Sequence, residues 1–231
     1  MNETNKFNDI LSSSPTSVTS PILSSLVFEE LKKNESKISL QEFCNRLPQN
    51  ISKKHHGKCS NITKASDTLE YLLTQLDISI EERERYQYIS STQNYTRNLI
   101  STDNQTYTLL LLCWNPNSES PIHDHPCDGC WMKVIQGAIR EKRYIDTSKT
   151  KDGAAQRLIQ TSDKVFNEEQ VVYIDDNIGL HKICNDGKQV AMSIHLYSPP
   201  IQKCRVWFSE DNALNYCTKE MTNDSEFGVR I

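Results

Sequence analysis

The chain has 231 residues and a formal net charge of −4 at pH 7, which suits one domain with extensions. It has no basic excess, which argues against nucleic acid or a membrane surface as a partner, and no apolar run near the roughly 18 residues of a membrane span. The N-terminal residues lack the basic and apolar segments of a secretory signal, and the eight cysteines are irregularly spaced. We therefore expect a cytosolic protein with free thiols.

The N-terminal part of the chain divides into two regions. Residues 1–25 are rich in Ser, Thr, Asn and Pro, a composition typical of a disordered tail. Residues 26–85 are predicted to form a small helical cap. Its clearest helix has leucines in i, i+3, i+4, i+7 spacing: Leu69, Leu72, Leu73 and Leu76. Ser66 precedes them as a predicted N-cap. A shorter helix is predicted from Leu40, Phe43 and Leu47.

From residue 86 to residue 231 the pattern is β. About eight short runs are rich in β-branched or aromatic residues and separated by Asn, Asp, Gly and Pro. They are YQYIS, YTRNLI, TYTLLLLCW, WMKVIQ, AIREKRY, QVVYI, VAMSIHLYS and CRVWF. Gly137 lies between WMKVIQ and AIREKRY and predicts a tight bend between two strands. We predict a mainly β fold in which residues 26–231 form one domain, a jelly-roll barrel that carries the helical cap.

Four of the six histidines lie in this β half: His123, His125, His181 and His195. His123 and His125 are two residues apart, so on a strand their side chains would point to the same face. An H-x-H pair alone is weak evidence for a metal, because such histidines are often structural. His181 strengthens the case, since distant strands of a barrel can converge at one point.

Together these residues resemble the motifs of the cupin superfamily. The first cupin motif corresponds to His123, His125, Cys130 and Gly137. The second corresponds to Gly179, His181 and Asn185. Cys130 stands where most cupins place a glutamate ligand. The resemblance implies a cupin barrel whose metal is held by three neutral histidines, without the carboxylate of the common iron oxygenase triad.

With a cysteine at position 130, the chain resembles the type I cysteine dioxygenase family. Further motifs of that family are found from about residue 88 to residue 230. They are YTRNL (95–99), CW (113–114), HDH followed by Cys130, IGLH (178–181), SIHLYSPP (193–200) with Cys204, and FGVR (227–230). This resemblance implies a dioxygenase of cysteine catabolism that converts L-cysteine and O2 to cysteine sulfinic acid at a mononuclear Fe(2+). It also implies that the iron ligands are His123, His125 and His181.

The same resemblance assigns roles to five further residues. Arg97, helped by Tyr95, would bind the substrate carboxylate, for which a planar guanidinium is well suited. His195 and Tyr197 would lie beside the iron. Cys130 and Tyr197 match the pair that the family joins by a thioether bond.

Several alternatives remain open at this stage. Cys127 and Cys130 form a C-x-x-C directly after H-x-H, which could instead indicate zinc or a redox disulfide. A 3-mercaptopropionate dioxygenase typically has Gln where Arg97 stands and Gly where Cys130 stands, so both residues disfavour this alternative. A cysteamine dioxygenase is also disfavoured, because its substrate has no carboxylate for Arg97 to bind. A metal-binding cupin without catalysis is the alternative of another class. We expect a monomer that acts on small molecules, with no nucleic-acid or membrane partner.

Overall fold

The computed structural model describes residues 37–55, 62–149 and 156–231; the tail predicted for residues 1–25 and the first part of the predicted cap lie outside them. The described helices are α1 (Leu40–His55), α2 (Ile62–Gln75) and α3 (Ile80–Tyr86). Within the described residues, no helix is long and apolar enough to cross a bilayer.

The two helices predicted from apolar spacing are confirmed, since all seven residues that carried the prediction are buried. The predicted cap of α2 was wrong, because the helix begins at Ile62 and Ser66 lies inside it. A capping box is present in α3 instead, where Ser79 and Glu82 each accept a hydrogen bond from the other's backbone N–H.

Short strands make up the rest of the described chain, together with one 3₁₀ turn, Thr147–Lys149. The strands are β1 (Tyr95–Thr102), β2 (Thr108–Trp114), β3 (Ser118–Glu119), β4 (Ile122–His123), β5 (Gly129–Gln136), β6 (Ala138–Asp146), β7 (Leu158–Asn167), β8 (Val171–Ile174), β9 (Leu180–Asn185), β10 (Ala191–Ser198), β11 (Lys203–Trp207), β12 (Cys217–Glu220), β13 (Ser225–Glu226) and β14 (Val229–Arg230). Gly137 joins β5 to β6 at a φ of +74°, which confirms the predicted bend. The run YQYIS was wrongly predicted as a strand, since Tyr86 ends α3 and the following residues are irregular.

The strands form two curled sheets, which are the jelly-roll barrel predicted from the sequence. The first, called here the cap sheet, has the order β14-β13-β1-β2-β10-β5-β8. The second sheet has the order β12-β11-β4-β9-β6-β7, with β3 paired to β9. All the strand pairs are antiparallel except β1 with β13.

The helices cover the outer face of the cap sheet. Every residue of β10 is buried, because its two faces have different apolar neighbours. One face packs against α1 and α2 through Met192, Ile194 and Leu196. The other face, which includes Tyr197, belongs to a separate cluster inside the barrel. This arrangement leaves the inner face of β10 available for chemistry.

A buried lysine ties α2 to the cap sheet. Lys133 of β5 donates from its Nζ to the carbonyls of Thr74 (3.4 Å) and Leu76, at the C-terminal end of α2, and pairs with Glu169 at 3.1 Å. A cation at this end of a helix is favourable because the last carbonyls lack partners within the helix.

Candidate active site

The three histidines predicted as metal ligands lie together on the second sheet. His123 is the last residue of β4, His125 follows two residues later, and His181 lies in β9. His123 and His181 are direct partners in the antiparallel register of β4 and β9. The ring centroids are 4.5–4.9 Å apart, and the nitrogens that could bind a metal all lie within 4.8 Å of one another.

The hydrogen bonds of two of these rings direct their lone pairs toward one point. His123 Nδ1 donates to the Pro121 carbonyl at 3.0 Å, and His181 Nδ1 donates to Glu141 Oε1 at 2.7 Å. In a neutral imidazole the other nitrogen then carries the lone pair. The two Nε2 atoms face each other at 3.2 Å, an arrangement that a cation between them would stabilise.

His125 adds an independent sign of a ligand. Both of its ring nitrogens are buried, and neither has a hydrogen-bond partner among the described residues. Such orphaned polar atoms are costly unless something binds them. Burial is the main cause that lowers the pKa of all three imidazoles, so each is neutral at pH 7. The residues therefore fit a metal ion held by three neutral histidines.

Two acidic residues, the buried Asp124 and the exposed Asp176, fix the segment that carries the first two histidines. Asp124 accepts hydrogen bonds from Arg205, from its backbone N–H at 2.7 Å and its Nε at 2.6 Å. Asp176 accepts from the backbone N–H of His125 at 2.7 Å. These contacts, which sequence reasoning missed, hold the segment between β4 and β5 against β11 and the turn before β9.

The opposite wall of the site comes from the cap sheet. A cavity of about 450 Å³ lies between the sheets, and its lining includes Tyr95, Arg97, His123, His195 and Tyr197. Four of these five predicted residues are on β1 and β10, while His123 presents the metal site to the cavity. The structure therefore brings the predicted residues together.

Arg97 provides a positive charge in this cavity. Its Nε donates to the Thr222 carbonyl at 3.1 Å, and its guanidinium carbon lies 5.9 Å from the centre of the Tyr197 ring. Asp224 holds the backbone rather than the guanidinium, since it accepts from the Arg97 N–H at 2.8 Å. Among the described residues Arg97 has no ion pair, so its charge can serve an anion that enters the cavity.

A chain of hydrogen bonds runs from Trp114 to Tyr197. Trp114 Nε1 donates to Ser193 Oγ at 2.9 Å, and Ser193 Oγ lies 2.9 Å from His195 Nε2. If Ser193 donates onward, His195 carries its proton on Nδ1, which faces the Tyr197 hydroxyl at 3.4 Å. The tyrosine oxygen then accepts from His195, and its own proton is free to point elsewhere. Burial lowers the pKa of His195 to about 3 and raises that of Tyr197, so both groups are neutral.

The roles of Ser193 and Trp114 were not predicted, although both lie in quoted motifs. The signal was present, because Ser193, His195 and Tyr197 alternate on one face of a strand.

Cys130 and Tyr197 are direct cross-strand partners in β5 and β10. Such pairs have Cβ atoms about 4.5–5.5 Å apart, which places the thiol beside the phenol. Cys130 is buried, and burial raises the pKa of its thiol well above the usual value. Cys127 lies at the bend before β5, and no disulfide joins it to Cys130.

The model of the family described as cysteine dioxygenase type I matches residues 65–210, more than half of the chain. The chain belongs to the type I cysteine dioxygenase family. The matched span includes every site residue that the resemblance assigned; the FGVR motif lies beyond it.

Cysteine dioxygenase type 1 of Homo sapiens is 36% identical to this family member over 137 residues, which are 59% of this chain and 66% of the human protein. The protein of the same name from Danio rerio is 36% identical over 138 residues, with the same two shares. The match thus spans just under two thirds of these relatives. A solved double-stranded β-helix protein from Klebsiella pneumoniae aligns with a TM-score of 0.39 and 17% identity, over 62% of this chain and 96% of that one, a similarity too low to carry an argument.

Proposed function

We propose that this protein is a cysteine dioxygenase that converts L-cysteine and O2 to cysteine sulfinic acid at a mononuclear Fe(2+). The ligands would be His123, His125 and His181. One observation carries the proposal: the three neutral imidazoles converge across the cavity from Arg97, a cation without an ion pair among the described residues. Such a site can accommodate a thiol at the metal and a carboxylate at the guanidinium at the same time.

The reaction balances without a further reductant. Both oxygen atoms of O2 are transferred to the substrate sulfur, which loses four electrons while O2 gains four. Fe(2+), when bound, would supply the redox centre that couples these two changes. Cysteine therefore provides all the electrons.

Arg97 and Tyr95 would select the substrate. The Arg97 guanidinium can meet a carboxylate with two parallel hydrogen bonds, which a lysine could not do. Tyr95 is stacked on Trp114, with centroids 4.5 Å apart, and is thereby held at the cavity wall. Binding the carboxylate at this wall would direct the substrate thiol toward His123 on the opposite wall.

The chain from Trp114 to Tyr197 would orient a hydroxyl donor at the reacting sulfur and oxygen. Because His195 is neutral and Tyr197 is protonated, the pair can donate one hydrogen bond without adding charge to the site.

We also propose that Cys130 and Tyr197 become joined by a thioether, as in the family resemblance. The bond forms between the sulfur and a ring carbon, the S–H and ring C–H bonds break, and the two electrons and two protons go to O2. Their cross-strand register supports this proposal because no backbone movement is needed to bring them together. We further propose that the protein acts in the cytosol as a monomer.

The test is oxygen uptake by protein loaded with iron or with zinc, each supplied with L-cysteine, 3-mercaptopropionate or cysteamine. We expect uptake with the iron form, fastest with cysteine, and cysteine sulfinic acid as the product. Stoichiometric zinc with no iron requirement, or a preference for cysteamine, would contradict the proposal.

A further inference from the structure

A buried carboxylate lies behind one of the three histidines, on the side away from the cavity. Glu141 of β6 is only 1% exposed. Its Oε1 accepts from His181 Nδ1 at 2.7 Å, and its Oε2 accepts from Arg143 Nε at 2.8 Å. Both oxygens are thus engaged, and one of them contacts a proposed metal ligand.

The strand register explains how this contact forms. Strands β6 and β9 are antiparallel neighbours in which Arg143 is the direct partner of His181 and Glu141 is the partner of Ile183. Glu141 therefore lies diagonally across from His181, on the same face of the sheet. Arg143 also donates to the Tyr173 carbonyl at 2.8 Å, so its guanidinium has a second partner besides Glu141.

The three histidines are unequal in this respect. His123 donates to a neutral backbone carbonyl, that of Pro121. The ring nitrogens of His125 have no hydrogen-bond partner among the described residues. Among the described residues, Glu141 is the one charged group that hydrogen-bonds to a ring of the three histidines.

We propose that Glu141 is a positioning residue of the metal centre. It fixes the His181 tautomer that has its lone pair on Nε2, and it supplies, one hydrogen bond behind that ligand, the negative charge that three neutral imidazoles lack. This inference rests on the metal site of the proposed function. Partners of this kind raise the basicity of a ligating imidazole and fix its ring orientation.

The test compares Glu141→Gln with Arg143→Gln, a control that removes the same buried ion pair but leaves the carboxylate on His181. Glutamine offers one acceptor where two donors converge, and it carries no charge. Three quantities are measured: the rate of Fe(2+) release to an excess of chelator, the midpoint potential of the bound iron, and the thermal stability of the metal-free protein.

We expect Glu141→Gln to weaken iron binding about 10–100-fold and to speed iron release accordingly. It should also raise the midpoint potential, because removing a nearby negative charge destabilises Fe(3+) more than Fe(2+). Arg143→Gln should stay much closer to the wild type in both quantities, even if the two variants lose similar thermal stability.

Equal iron release and equal potential in Glu141→Gln and the wild type would overturn the inference. If Glu141→Gln does not fold, the double variant Glu141→Gln/Arg143→Gln, which removes both charges, is compared with Arg143→Gln by the same criteria. Failure of the wild type to bind iron at all would instead contradict the proposed function, so the two outcomes are distinguishable.

Discussion

The two sheets that line the cavity contribute different parts of the site. The second sheet carries the histidine cluster, and charged pairs such as Asp124–Arg205 and Glu141–Arg143 hold it in place. The cap sheet carries the proposed substrate and thioether residues, and it is held by apolar packing under the helices. Metal binding and substrate selection should therefore be separable by mutation, since each depends mainly on one sheet.

The outer faces of the two sheets also differ, in how far they are covered. The helices bury the outer face of the cap sheet, whereas β7 of the second sheet has Ile159 and Val165 about half exposed. On the metal side the contacts are ion pairs whose carboxylates are buried, and a buried charge is costly unless its partner is present. On the substrate side the sheet is held by close packing, which tolerates changes that conserve volume.

The largest effect is expected on the second sheet, from His181→Ala. This variant removes one of the three proposed ligands, so we expect the loss of both bound iron and turnover. Metal analysis and oxygen uptake measure the two losses. Stoichiometric iron in the folded variant would contradict the assignment of His181 as a ligand.

A smaller effect, limited to turnover, is expected on the cap sheet. Arg97→Gln should lower kcat/KM for cysteine by more than about tenfold, which corresponds to the roughly 1.5–3 kcal/mol of a charge-assisted hydrogen bond. Iron content should not change, because Arg97 is on the other wall. Activity on cysteamine, which lacks the carboxylate, should fall much less. Equal losses on both substrates would show that Arg97 does not bind the carboxylate.

Loss of the proposed thioether should lower turnover less than either His181→Ala or Arg97→Gln. We expect wild-type protein to show two species after turnover, one about 2 Da lighter and resistant to reducing agents, because forming the bond removes two hydrogens. Cys130→Ser should abolish the lighter species, retain iron and reduce turnover without eliminating it.

Cys127→Ser is the matched control for that prediction and should retain the lighter species. Peptide mapping that finds the mass change only as a reducible link between Cys127 and Cys130 would refute the thioether and leave the histidine site untouched.

The smallest effect on turnover is expected from the helices. Leu73→Ala in α2 removes a fully buried side chain beneath the cap sheet and should lower the free energy of unfolding by about 2–5 kcal/mol. Turnover per folded molecule should stay near the wild-type value. Leu214→Ala, at a position that is 57% exposed, is the control and should change stability little. A large loss of turnover in folded Leu73→Ala protein would indicate that the cap controls the site directly.

Local patterns predicted the barrel strands and two helices, whereas the set of three histidines came from the family resemblance, because His181 is far from His123 and His125 in the sequence. Glu141 was missed because AIREKRY looks like a polar strand face; only the register with β9 shows that its carboxylate is buried against His181. The strand β7 was missed because most of its residues are exposed and give no alternating apolar signal.

Strand β10 shows the same limit. An apolar face of Met192, Ile194 and Leu196 would ordinarily identify the inside of a barrel, yet here it packs against helices on the outside. Family resemblance, not periodicity, indicated that His195 and Tyr197 face the cavity, where the structure places them.

We propose that one site, formed by both sheets, transfers a whole O2 molecule to the sulfur of cysteine. The most direct measurement is the mass of the product formed by iron-loaded protein from L-cysteine under ¹⁸O2. We expect cysteine sulfinic acid with both of its sulfinate oxygens labelled. Incorporation of oxygen from water, or cystine as the sole product, would contradict it.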